Sequence, residues 1–405
     1  MEKEPARGRG KRNCLRATGD SKERSQGLRT GYFFIPALIF ISNFYLYNWF
    51  VRLTSPGRKV RGSVLAGMLI LLTLFPVSRL WASHDFNSAN RLLTFLSASW
   101  GGISFLLVLF AAGTDLARFF LRLAGVSPNL PLSRILYWRR VLAAASVAAC
   151  LGLAGYAFWE AAEVRVTRVE IPLRHLPREL DGMTVAHLSD VHYGLLHENG
   201  RLGEVVGLVN ELKPDLVVFT GDLVDSAVSH LEEMEAPLSR LQAPHGVFAV
   251  VGNHEVFAGV ERVERILKRA GVRVLRNEIK VLAGGIQLLG IDDPRVASRG
   301  LPLPDFNGLL RTLDPAKPSL LLYHQPLRFE EAAAAGVGLQ LSGHIHGPQL
   351  RPMVPLVRLF YQRMQGLFKL GESYLYVSRG VGTGGPPMRL GSPPEIALVR
   401  LRSMQ

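Results

Sequence analysis

Seven side chains able to hold a metal ion stand just after short apolar runs in the second half of this 405-residue chain. Asp190 and His192 lie in Ser189-Asp190-Val191-His192, Asp222 follows Gly221, and Asn253 stands in Gly252-Asn253-His254-Glu255. His324 ends an apolar run, and His344 and His346 sit in Gly343-His344-Ile345-His346-Gly347. Imidazole, carboxylate and amide donors of this kind suit Mn, Fe or Zn, and a lone carboxylate can bridge a pair of ions. Two such ions about 3.5 to 4 Å apart acidify water, grip phosphate oxygens and stabilise charge on the attacking and leaving oxygens. Taken singly, His324 reads as a satisfied core histidine and Asp222 as a helix cap. The order of the whole set, each member after an apolar run, carries the metal reading.

The elements that must deliver these residues follow from hydropathy. From about Arg165 the chain alternates apolar runs (164–171, 183–188, 216–220, 247–251, 286–291, 319–323, 339–341, 373–377, 396–401) with helix-like segments (201–212, 229–241, 260–270, 306–313, 329–335). Continuous β-rich runs are expected where both faces of a strand are covered, and alternation of strands with helices indicates an α/β sandwich. Ligands form a crevice beyond the carboxyl ends of such strands. Gly221, Gly252 and Gly343, just before candidate ligands, permit tight turns and close backbone approach.

Asp190-x-His192, Gly221-Asp222, Gly252-Asn253-His254-Glu255, His324 and Gly343-His344-x-His346, in this order, resemble the calcineurin-like metallophosphoesterase superfamily, the binuclear metallophosphatases. The resemblance covers about residues 165–405. It implies a four-layer α-β-β-α sandwich with two mixed sheets, and two divalent or trivalent metal ions. Asp190, His192 and His346 would hold one ion, Asn253, His324 and His344 the other, with Asp222 bridging. His254 would point at the leaving group rather than bind metal. Two departures are visible: Glu255 stands where the family has Asp, and Ile345 and Pro348 stand where it has Thr and Gly. Neither removes a ligand.

The expected reaction is hydrolysis of a phosphodiester or phosphomonoester by a hydroxide bridging the metals, with His254 as proton donor and Glu255 fixing its tautomer. Arg379 and Arg389 flank the glycine-rich stretch 380–385, which could cradle a phosphate, and are the candidate substrate-binding residues. Asp225, Asp292 and Asp293 are explained by turn formation, and His187 by a place in the core. A reading from another class is a catalytically idle membrane sensor or scaffold with a metallophosphoesterase-like module, which metal analysis and a chromogenic phosphodiester would separate from an enzyme.

The first half is of another kind. Mean hydropathy is +0.17, and the excess sits before residue 162 in four apolar stretches, 32–51, 63–83, 92–112 and 141–162. Each approaches the ~20 residues a spanning helix needs, so residues 31–162 read as a four-helix transmembrane region and 163–405 as the catalytic domain. The net charge is +14, and a basic tail, residues 1–30, has nine Lys or Arg against four acids. Such a tail reads as disordered and attracted to anionic lipid. It has no aromatic residues interleaved with its charges, so nucleic-acid binding is not expected. Two cysteines, Cys14 and Cys150, provide neither a disulfide framework nor a zinc cluster. Basic residues of the first and third loops, Arg52, Arg58, Lys59, Arg61 and Arg118, Arg122, Arg134, Arg139, Arg140, place those loops in the cytoplasm. The multi-pass protein would then carry its catalytic domain outside the cytoplasm. Spans beside such a site make a phospholipid, a lipid-linked pyrophosphate or another membrane-proximal phosphodiester the expected substrate, with soluble nucleotides as the alternative.

Overall fold

The computed structural model describes residues 37–82, 87–125, 131–194, 196, 197, 199–225 and 229–404. The basic tail, Cys14 and residues 32–36 of the first apolar stretch lie outside the described residues. Four helices come first: α1 (residues 37–54), α2 (Arg58–Ala82), α3 (Ser88–Leu123) and α4 (Leu132–Ala162). Among the described residues, α2, α3 and α4 are long and apolar enough to cross a membrane, which matches three of the four expected spans. At 1.5 Å per residue the 36 residues of α3 reach about 54 Å, longer than a hydrocarbon core of ~30 Å requires. Asn43 and Asn48 turn their amides back onto carbonyls of their own helix, Ile39 and Phe44, at 2.9 and 2.8 Å.

Contacts divide the chain into two compact units, Met1–Met68 with Ser104–Ala148, and Leu69–Ile103 with Ala149–Gln405. In the first unit Asp115 accepts hydrogen bonds from Arg52 (2.9 Å) and Tyr45 (3.1 Å), while the Trp49 indole donates to Thr114 at 3.0 Å. These polar groups pair α1 with the far end of α3.

The second unit contains two six-stranded mixed sheets. The first has the order β1 (Arg165–Leu173), β12 (Glu395–Ser403), β2 (Thr184–Leu188), β3 (Leu216–Phe219), β4 (Val247–Ala249), β5 (Val272–Val274). The second has the order β10 (Gly366–Leu370), β11 (Ser373–Val377), β9 (Leu339–Ser342), β8 (Ser319–Tyr323), β7 (Gln287–Ile291), β6 (Glu278–Val281). β2, β3 and β4 run parallel, as do β7, β8 and β9. Alternate side chains go to different cores, as the two-residue period of a strand requires. In β3, Leu216 and Val218 join a cluster with Leu320, Leu322 and Leu341 of the second sheet, while Val217 and Phe219 pack with Val205 and Val209 of α5 (Asn199–Glu211) and Ile266 of α8 (Val260–Arg269). Leu321 and Tyr323 of β8 face Phe306 and Leu310 of α9 (Phe306–Leu310) instead. Both faces of the central strands are therefore covered, which is why they read as unbroken apolar runs.

Where β11 ends and β12 and β1 begin, the buried Glu395 carboxylate accepts from Thr167 (2.8 Å), Tyr376 (3.2 Å), the Arg379 amide (2.8 Å) and the Arg379 guanidinium (2.5 and 2.9 Å). Breaking one partner of a buried ion pair strands the other charge, at a cost of about 3–5 kcal/mol. Glu395→Gln is expected to lower the thermal unfolding temperature of the purified protein accordingly, with Arg379→Met doing the same. If Arg379→Met instead raised KM at unchanged stability, Arg379 would be a substrate contact after all.

Candidate metal centre

The ends of β2, β3 and β4 in one sheet and of β8 and β9 in the other deliver the seven expected residues to one place, as strand ends in open α/β sheets do. Two triads form, Asp190 with His192 and His346, and Asp222 with His324 and His344; a third joins His192, Asp225 and His254. His192 Nε2 is 3.0 Å from His346 Nε2, and His346 Nε2 is 3.5 Å from Asp190 Oδ1. His324 Nε2 lies 3.1 Å from Asp222 Oδ2, 3.2 Å from Asn253 Oδ1 and 3.1 Å from His344 Nδ1.

The tautomers bear on what these atoms can bind. His324 Nδ1–H donates to the Thr220 carbonyl at 2.8 Å, so its Nε2 lone pair faces a carboxylate oxygen, an amide oxygen and another imidazole nitrogen. His344 Nε2 is engaged by the Tyr361 hydroxyl at 3.0 Å, leaving Nδ1 toward the centre. A second-sphere partner on one ring nitrogen and an inward lone pair on the other is the arrangement by which imidazoles hold metal. Lone pairs facing lone pairs fit a cation, so the residues present fit the group.

Charge follows burial. Burial pushes His192 and His344 down to about 3 and holds His346 well below the ordinary imidazole range, so these rings are neutral donors at neutral pH. Burial also works against the His324 imidazolium, yet Asp222, with Asp190 and Asp293, pushes that group up to about 10. A proton and a metal ion compete for that lone pair. Burial raises Asp190, reinforced by Asp222; Asp222 itself is held well below the carboxylate range by surrounding imidazoles, against its burial.

Five of the seven residues have left-handed backbones: Asp190 (φ 53), His192 (53), Asp222 (51), His344 (74) and His346 (57). Such conformations are costly for residues with a Cβ and persist where surrounding bonds impose them. Here Asp190 N–H is tied to Gly221 O at 3.0 Å, His192 N–H to Asp222 O at 3.0 Å, and the Asp190 carboxylate accepts the His344 N–H at 3.0 Å. All three expected glycines are required by space, a Cβ on Gly221 meeting the Gly252 backbone at 2.7 Å. A Cβ on Gly343 would strike Ser189 and the Asp190 carboxylate, and one on Gly252 would strike the Asp222 carboxylate.

Three expected assignments change. Glu255 does not address the His254 ring: its buried carboxylate accepts from the backbone N–H of Asp222 (2.9 Å), Leu223 (2.7 Å), Val224 (3.2 Å) and Gly252 (2.7 Å). At the first helical turn of α7 (Asn253–Ala258) the longer Glu side chain reaches the turn after β3 and braces it. His254 Nδ1 bonds instead to the Asp225 carbonyl, with Asp225 Oδ1 at 3.6 Å, and His254 Nε2 is 3.9 Å from Asp222 Oδ2. Arg379 is taken up by Glu395. Arg389 is fully buried and donates to the carbonyls of His346, Arg379 and Gly382 and to His346 Nδ1 (3.2 Å). It backs His346 and does not face the crevice. The stretch 380–385 is no phosphate cradle: Gly380, Val381, Gly382, Thr383 and Gly384 direct their N–H groups to Ser378 Oγ, Ser189 O, Asp190 O, His197 Nε2 and Gln349 Oε1. Its glycines let it lie directly on the Asp190–His192 backbone.

Sequence reasoning missed Tyr361 and Arg295 and explained Asp225 away as a turn residue. The Arg295 guanidinium lies 5.9 Å over Phe257, whose ring is 5.9 Å from His254, and its charge acts on His344 and Tyr361. Among the described residues its Nε is buried without a hydrogen-bond partner. Only Asp225, in Gly221-Asp222-Leu223-Val224-Asp225, carried a signal: a second carboxylate three residues after a candidate ligand. His187 is a core residue, buried and bonded to Thr220 at 2.8 Å.

Residues 183–348 match the model of the calcineurin-like phosphoesterase family. An uncharacterized metallophosphoesterase of Aquifex aeolicus is 35% identical over 253 residues, 62% of this chain and 96% of its own length. One from Helicobacter pylori is 36% identical over 258 residues, 62% and 68% of the two chains. A transmembrane protein with metallophosphoesterase domain from Danio rerio is 36% identical over 265 residues, 62% and 60% of the two chains. With its motif residues gathered on adjoining strand ends and a relative matched over nearly its whole length, this chain belongs to the calcineurin-like metallophosphoesterase family, metal-dependent hydrolases of phosphate esters.

Proposed function

We propose that this protein is a multi-pass membrane phosphoesterase, with residues 31–162 as its anchor and 163–405 as a four-layer catalytic domain. Two ions, Mn, Fe or Zn, would be held by Asp190, His192 and His346 and by Asn253, His324 and His344, with Asp222 shared. The observation that carries this is the meeting of lone pairs at His324 Nε2, within 3.1 to 3.2 Å of Asp222, Asn253 and His344. When bound, such ions supply Lewis acidity toward phosphate oxygens and lower the pKa of water.

The chain's own part is orientation and proton transfer. His254 gives its proton to the leaving oxygen: Nδ1 is committed to the Asp225 carbonyl, with the Asp225 carboxylate 3.6 Å away, and Nε2 is left for the substrate. Arg295 is our choice for the phosphate contact in place of Arg379 and Arg389, because a guanidinium is suited to phosphate oxygens.

The substrate is a membrane-resident phosphate ester. Leu359 and Phe360 are 75% and 73% exposed and immediately precede Tyr361, which bonds His344. Exposed Arg351 and Arg358 precede them, an apolar-plus-basic composition that favours an anionic bilayer interface. The same segment is bonded to the end of α4: Leu350 bridges Leu390, and the Gly391 N–H donates to Glu160 at 2.6 Å. We assign the catalytic half to the extracytoplasmic side from the basic first and third loops.

Protein purified and reconstituted with Mn, Zn or Fe is expected to bind two ions per chain and to hydrolyse bis-p-nitrophenyl or p-nitrophenyl phosphate until chelated. Asp222→Asn should lose metal and about a hundredfold or more in rate, since losing an outer partner alone costs roughly 10- to 100-fold. A chain that binds no metal under these conditions would sink the assignment. Arg295→Gln should raise KM with metal content intact; an unchanged KM removes Arg295 from the substrate. Replacing Leu359 and Phe360 together by Ser should lower the rate on a vesicle-borne phospholipid ester by about a hundredfold or more, each side chain contributing about 1.5–3 kcal/mol when buried in an apolar phase. The rate on a soluble nitrophenyl ester should stay the same, and equal rates on both substrates in both proteins would argue against a lipid ester.

A further inference from the structure

The last turn of the apolar helix α2 reaches the proton-transfer side of the centre. Arg79, three residues from the end of α2, binds both carboxylate oxygens of Asp225, Nη1 to Oδ2 and Nη2 to Oδ1, the latter at 3.2 Å. Asp225 is 8% exposed. Its N–H is fixed to Tyr193 O at 2.9 Å, its carbonyl accepts from His254 Nδ1, and its Oδ1 stands 3.6 Å from that nitrogen and 3.9 Å from His192 Nδ1. A carboxylate this buried needs a counter-charge, and a two-pronged guanidinium also fixes its orientation, as a lysine would not. Arg79 therefore determines where Asp225 sits, and Asp225 determines how the His254 ring is turned.

Two other apolar helices in the same compact unit touch the back of the centre. Arg389 N–H donates to Ala157 O of α4 at 2.8 Å, and the residue it belongs to backs His346. A Cβ on Gly102 of α3 would lie 3.1 Å from Pro386. The apolar helices thus do more than tether the catalytic half.

We propose that Arg79 is a positioning residue for the reaction: through Asp225, helix α2 holds His254 in the orientation from which it protonates the leaving oxygen. This rests on the reading of His254 as proton donor. A proton donor matters for an ester whose leaving oxygen is strongly basic and hardly at all for a nitrophenyl ester, whose leaving oxygen departs as a stable anion. A structural role makes no such distinction.

The test uses the full chain in detergent or vesicles, reconstituted with Mn, and compares wild type, Arg79→Ala and Arg79→Lys on an alkyl and a p-nitrophenyl ester of the same phosphate. Arg79→Ala should lower kcat on the alkyl ester roughly ten- to a hundredfold while the nitrophenyl ester changes less than about twofold, a general acid being worth roughly 10²–10⁴ in rate. KM and bound Mn should not change. Added guanidinium ion should restore part of the alkyl-ester rate in Arg79→Ala, and Arg79→Lys should fall between. Equal losses on the two esters, no loss on either, or loss of bound Mn overturns the positioning role while leaving the phosphoesterase reading intact. If Arg79→Ala does not fold, Arg79→Lys with the same pair of esters decides alone. A wild-type protein that carries its metal yet cleaves neither ester overturns the phosphoesterase reading, and this proposal with it.

Discussion

Converging lone pairs need a cation, and the geometry at the ends of β2, β3, β4, β8 and β9 is built around that need. Asp190, His192, Asp222 and His324 are each at most 2% exposed, so water cannot screen them. In such surroundings an isolated carboxylate is prohibitively costly, and an imidazole that ionises repels its neighbours. The outer atoms are accounted for by donors from the chain: Asp222 Oδ1 takes the His254 N–H at 2.8 Å, and Asp190 takes the His344 N–H. What remains faces inward, where Asp222 Oδ2, His324 Nε2, Asn253 Oδ1 and His344 Nδ1 meet with His324 as the one group pushed strongly toward protonation.

The same requirement explains the strain. To turn side chains from two sheets inward within four residues of a strand end, the backbone at five of the seven positions adopts the left-handed region, at a cost of order 1–3 kcal/mol each. That cost is offset by bonds between neighbouring loops, of which Glu255 is the hub. Its two oxygens collect four N–H groups from the turns after β3 and β4, which would otherwise be buried donors without acceptors. Its length, one methylene more than Asp, allows this reach and leaves the inward donors untouched.

Legibility followed burial on both faces. Strands 319–323 and 373–377 were read to the residue because each is wholly buried, and the other central strands to within a few residues. The strands β5, β6 and β10 were missed. All three are at sheet edges, and β6 and β10 have only partly buried or exposed residues, so no unbroken apolar run marks them. The apolar helices overran the expected spans, 88–123 against 92–112, because a helix continues past hydrocarbon wherever polar turns find partners, as Asn90 and Thr94 do in the buried first turns of α3. Ligand-type residues were legible from type and spacing. Their supports were not. Arg389 looks like a phosphate-binding arginine beside glycines, and only the fold reveals that five carbonyl oxygens surround it.

Arg79 and Asp225 are 146 residues apart, and nothing local to either marks the partnership. Composition divides this chain near residue 162, where apolar helices give way to strands, whereas contacts put residues 69–103 in one compact unit with the strands. The two divisions answer different questions: the first says which residues tolerate hydrocarbon, the second which residues depend on one another for shape. An arginine at the end of a span reads in sequence as a boundary residue, satisfied by water or lipid headgroups. Paired to a buried carboxylate instead, it makes the end of α2 and the His254 ring parts of one hydrogen-bonded chain, Arg79 to Asp225 to His254.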